Sequence, residues 1–118
     1  GMSKLGKAEI LLREAKEDLK HECYNKAVSA SYFAVRLFVE SFLPGLMTRR
    51  DDKIANALFR EIERRAGREK AEEIKSNYLF LFDQRKKADH RADIFGKEAE
   101  EIVAMAERLM REIGEILR

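Results

Sequence analysis

The chain has 118 residues, room for one domain over residues 1–118 and none for a second. With 45% hydrophobic and 39% charged residues it is too apolar for disorder, and its single proline leans toward an all-helical protein. Its 24 basic and 22 acidic residues nearly cancel, so general affinity for nucleic acid does not follow and any such argument rests on local clusters. Cys23 is the only cysteine, which excludes an intramolecular disulfide and makes a reduced cytoplasm the expected setting. No apolar run approaches membrane-spanning length, so no membrane partner is expected.

Leu5, Ala8, Leu12, Ala15 and Leu19 recur three and four apart and predict a helix over 4–20. His21 to Tyr24 interrupt that stripe. Asn25 is then read as the N-cap of a second helix running to Leu43, whose apolar residues leave almost no polar face and place it at the centre of the fold. Pro44 cannot continue the helical ladder, and Gly45 is expected to take a left-handed turn after it. Asp51 is read as the cap of a third helix carrying Ile54, Ala55, Leu58, Phe59 and Ile62, with Gly67 as its terminus.

A fourth helix is expected over 68–89 with Ala71, Ile74, Tyr78 and Leu81 on one stripe. Tyr78 to Phe82 could pass for a buried strand, but charged helix formers flank the run and no turn residues bound it. Ala92 to Gly96 form a break, and Ile102, Val103, Ala106, Leu109, Met110, Ile113, Ile116 and Leu117 mark a final helix. Helices with short connections imply an all-α, antiparallel up-and-down bundle of four to five helices. The second helix and the run 78–82 carry more apolar surface than a small bundle covers, so a homodimer is expected.

Chemistry concentrates in Gln84 to Arg91. Arg85 stands seven residues after Tyr78 and four after Leu81, so it continues the core stripe rather than the solvated face. Either it forms an ordinary surface ion pair with Asp89 four residues on, or its guanidinium meets phosphate in a cleft or dimer groove. His90 lies five residues on, about 140° around an unbroken helix, so the two side chains meet only if the helix ends between them or two subunits share the site. An arginine and a histidine reaching one phosphate supply charge stabilisation and proton transfer, enough to cleave RNA without a metal. Lys86, Lys87 and Arg91 add positive charge for RNA binding. His21 lacks such a companion, no zinc spacing or phosphate loop occurs, and no cofactor or metal is called for.

Three segments together resemble the HEPN family (higher eukaryotes and prokaryotes nucleotide-binding domain). They are Ala15-Lys16-Glu17-Asp18-Leu19, Asn25 to Ala34, which is similar to that family's Ala-Val-Ser-x-x-Tyr-Tyr-Ala pattern, and Arg85 to His90 ahead of an acidic last helix. The resemblance implies a single helical domain, usually a homodimer, often encoded beside a minimal nucleotidyltransferase as a toxin and antitoxin pair. Active members are metal-independent ribonucleases with an Arg-x4-6-His motif, here Arg85 and His90. Lys86 stands where such members often carry Asn or Asp, and Ala92 where some carry a tyrosine that the partner modifies with AMP. The alternative implied by the same resemblance is a non-catalytic subunit that binds a nucleotidyltransferase or a nucleotide.

Overall fold

A computed structural model describes residues 3–90 and 92–118. Among them are five helices and no strand: α1 (Lys4–Lys20), α2 (Tyr24–Phe42), α3 (Asp51–Ala66), α4 (Arg68–His90) and α5 (Glu98–Leu117). The run 78–82 is helical, with Tyr78 and Leu81 buried and Phe80 turned outward.

Ser3 opens α1 by accepting a hydrogen bond from the Gly6 N–H. At the other end the Cys23 N–H reaches Asp18 O and the Glu22 N–H reaches Leu19 O, a paired closure that puts Glu22 in the left-handed region at φ 58°. The chain thereby reverses in three residues and α2 folds back on α1. Leu43 precedes Pro44, whose ring disfavours helical backbone on the residue before it, and α2 ends there. Gly45 is not left-handed, contrary to the sequence expectation. The positive φ belongs instead to Gly67, at 91°, where α3 and α4 form a second hairpin joined by that residue alone.

Leu43 to Arg50 double back along α2 and bring Asp51 beside Tyr32 and Arg36. Asp51 is the first residue of α3 and makes no side-chain cap; its carboxylate is committed to tertiary partners. Tyr32 and Tyr78 both donate their hydroxyls to its Oδ1, the latter at 2.7 Å, while Arg36 Nη1 lies 3.4 Å from Oδ2. Arg36 Nη2 also donates to Arg49 O at 2.9 Å, so one buried carboxylate and one arginine tie α2, α3, α4 and the connecting loop together. Burial, and then the Asp51 contact, push the Tyr32 hydroxyl up to about 12. The same causes in the same order push Tyr78 higher still.

The centre is shared. α2 packs on α1, α4 and α5, while α5 touches every other helix and buries its stripe from Ala99 to Leu117. Ile54, Leu58, Ile62, Ile74, Leu109 and Ile113 are wholly buried, each contributing roughly 1.5–3 kcal/mol through removal from water. Gly114 is the close-approach glycine: a Cβ there would stand 3.2 Å from Phe38 Cζ.

Candidate functional site

The expected pair lies where the C-terminal end of α4 meets the N-terminal end of α2. Arg85 sits on the α2-facing side, its side chain only 25% exposed, with Cζ 5.0 Å from the Phe33 ring centroid and 5.5 Å from that of Tyr32. A guanidinium over ring faces is held by their negative quadrupoles, more strongly as water is excluded. Its Nε lies 3.0 Å from Asp89 Oδ2, yet the N–H is turned off that line, so Nε makes no geometric hydrogen bond. Ser29 Oγ donates to the same carboxylate oxygen at 3.2 Å. The i,i+4 ion pair to Asp89 expected from spacing is therefore present, and α2 steadies it. Neither terminal nitrogen of Arg85 has a hydrogen-bond partner among the described residues.

His90 is the last residue of α4 and exposed. The helix does not end between Arg85 and His90, so within one chain the two side chains leave the helix in different directions, as the five-residue interval requires. His90 instead borders a cleft of about 640 Å³ lined by Asp18, Asn25, Lys26, Ser29 and Asp89. Asp89 thus belongs to both halves, pairing with Arg85 and lining the cleft beside His90.

Asn25 is not the helix cap that its type suggests: Cys23 occupies the cap position and makes no side-chain cap bond. The Asn25 amide spans to the other side of the cleft, where Nδ2 donates to Ala88 O at 3.1 Å and to Asp93 O at 3.0 Å. Its Oδ1 accepts from the Phe95 N–H at 2.9 Å. One side chain thereby satisfies an end carbonyl of α4 and fixes the connection that follows His90. Glu98 completes the turn by accepting from the Gly96 N–H at 2.9 Å, and that bond holds its carboxyl below the usual range.

Lys86 lies with Nζ 4.7 Å from the Phe82 ring centroid, and Lys87 pairs with Asp83 at 3.6 Å. Lys87 is thus partly neutralised, whereas Lys86 has no carboxylate partner among the described residues. Arg91, the remaining residue expected to attract phosphate, lies outside the described residues. Asn25, Lys26 and Ser29 were not singled out as site residues by sequence. Their spacing along the first turns of α2 was legible, but the helix that they face was not.

A five-helix bundle with an arginine–carboxylate–serine cluster and a histidine at one end defines a class of small helical domains with a polar pole. A family model described as the HEPN domain matches residues 3–116, and the chain belongs to that family. No curated protein matches the chain significantly. No helix is long and apolar enough to cross a membrane among the described residues.

Proposed function

We propose that this HEPN domain is a metal-independent endoribonuclease that acts as a homodimer, the toxin of a pair with a minimal nucleotidyltransferase. The observation that carries the reading is the state of Arg85: seated on two aromatic rings, ion-paired with Asp89 on its inner side, and open at both terminal nitrogens. A preorganised fork of this kind suits the extra charge of a pentacoordinate phosphate. Phe33 and Phe82 are only partly buried beside it, which favours a seam between two copies on this face.

Across such a seam Arg85 of one copy and His90 of either copy reach a common groove, which resolves their divergence within one helix. One His90 imidazole takes the proton of a ribose 2′-hydroxyl as its oxygen attacks phosphorus. The bond from phosphorus to the 5′ oxygen breaks, and a protonated imidazole returns a proton to that oxygen. The products are a 2′,3′-cyclic phosphate and a 5′-hydroxyl. Lys86 and Lys26 draw the strand toward the site.

The test is cleavage of single-stranded RNA in chelator by the parent chain, Arg85→Ala and His90→Ala. The parent is expected to give cyclic-phosphate ends and each variant a loss of at least a hundredfold with unchanged melting temperature. An inactive parent, or variants as active as it is, replaces this reading with that of a non-catalytic subunit that docks a nucleotidyltransferase or nucleotide, which the separation of Arg85 from His90 within one chain favours.

A further inference from the structure

A second basic and aromatic surface lies away from Arg85, in the cleft between α3 and α4. This cleft has a volume of about 520 Å³ and is walled by Asn56, Phe59, Arg60, Arg68, Glu72 and Lys75 together with Ser76 and Leu79. At its centre is the partly exposed Phe59 ring, with Arg68 Cζ and Lys75 Nζ each 5.7 Å from the centroid. The acidic wall is already occupied, since Glu72 binds Arg68 Nε at 3.1 Å and Glu63 also pairs with Arg68. Lys75 donates to the neutral Asn56 Oδ1 at 2.7 Å. Neither Lys75 nor Arg60 has a carboxylate partner among the described residues. The cleft therefore presents two unneutralised cations beside an aromatic face, with amide and hydroxyl groups at its edge.

Along α4 the same side continues toward the polar pole. Lys75, Leu79, Phe82 and Lys86 follow one another at intervals of four, three and four residues and so share one helical face. From Lys75 to Lys86 the helix rises about 16 Å, and His90 stands one further turn beyond. Lys86 over Phe82 repeats the cation-on-ring arrangement at the far end.

We infer that this strip is a binding track for single-stranded RNA, which seats a base against Phe59 with its phosphates on Arg60 and Lys75 and leads the strand along α4 to the Arg85–His90 groove. Alternating cations and ring faces suit single strands, because every base has a face to stack and every nucleotide carries a charge. The identity of the strand rests on the ribonuclease reading, whereas the surface itself does not involve Arg85 or His90. In a two-fold dimer the two tracks run in toward one seam and make the footprint longer than either groove alone.

The experiment measures binding of a fluorescent single-stranded RNA to the full chain carrying His90→Ala, with and without Arg60→Ala and Lys75→Ala together. The added pair is expected to weaken binding at least tenfold and to reduce the slope of log affinity against log salt by about 1.4, the value for two lost phosphate contacts on a single strand. Melting temperature and dimer mass are expected to stay unchanged. Affinity within twofold of the parent, conversion of the dimer to monomer, or equal displacement of the RNA by a polyglutamate of matching length would each overturn the track. Strong RNA binding by the His90→Ala chain that depends on Arg60 and Lys75, alongside a parent that fails to cleave, keeps the track and removes the nuclease. Full cleavage and binding by the Arg60→Ala, Lys75→Ala chain does the reverse.

Discussion

Two carboxylate–arginine clusters bridge α2 and α4 about two helical turns apart, one of them built on Asp51 of α3, and they are finished differently. At Asp51, Tyr32, Tyr78 and Arg36 converge on a carboxylate that is 7% exposed, and every group in the knot has a partner. At Asp89, a serine hydroxyl and one guanidinium nitrogen meet a side chain that is 28% exposed, and the rest of the guanidinium is left open. A closed cluster can only hold the fold, since any ligand would have to displace a satisfied partner inside the core. An open one retains donors for something that is not part of the chain.

Breaking the closed cluster is expected to have the largest effect. Asp51→Ala strands two buried hydroxyls and the Arg36 charge, and removal of one partner of a buried pair costs about 3–5 kcal/mol. A urea titration of the variant that shows a loss under 1 kcal/mol would mean that water replaces the carboxylate and that the knot is not what pins α3 to α2.

Alkaline pH attacks the same cluster without mutation. Both tyrosines keep their protons in the folded chain well above the ordinary value near 10, first because of burial and then because Asp51 faces them. The unfolded chain releases those protons from about pH 10, so above that point it binds fewer protons than the native state and stability falls with rising pH. The contribution is complete below pH 10. It declines by about 1.4 kcal/mol per pH unit for each tyrosine still protonated in the fold, Tyr32 ceasing to add to the slope near 12. Denaturant midpoints at pH 9 and pH 11 measure it, and equal midpoints would refute it.

The core of both clusters was more readable from sequence than their polar members. The stripe from Ile102 to Leu117, the end of α2 before Pro44 and the reversal at Gly67 are consequences of periodicity and backbone sterics, which act within a few residues. The run at 78–82 resolved as helix because its buried residues keep helical spacing with Ala71 and Ile74. Asn25 and Asp51 were misread for one shared reason. Both types favour helix caps locally, yet each stands in the first turn of its helix and spends its side chain on groups 15 to 70 residues away. Gly45 shows the complementary error, a residue able to turn left-handed where the path does not require it. Arg85 was placed correctly, on the core stripe and beside Asp89, because both relations lie within its own helix. The Phe33 face beneath it and the Ser29 contact come from α2, and spacing along α4 carries no information about them.

Opening the polar pole further is expected to cost the fold least. Asp89→Ala removes an ion pair at the protein surface, and pairs that share their charge with solvent contribute about 0–1 kcal/mol, so the denaturant midpoint is expected to move little. Activity separates position from stability. Without Asp89 the guanidinium keeps its ring contacts but loses its ion-pair partner, and under the ribonuclease proposal a small displacement of that charge from its transition-state position lowers turnover by on the order of a hundredfold. Because Asp89 acts through Arg85, the loss belongs in the turnover number more than in the Michaelis constant, and Asp89→Glu, which restores a carboxylate on a longer stem, should recover part of it. A variant that keeps both stability and turnover would reduce Asp89 to an ordinary i,i+4 surface pair. The contrast with Asp51 would then rest on burial alone rather than on one cluster being closed and the other left open.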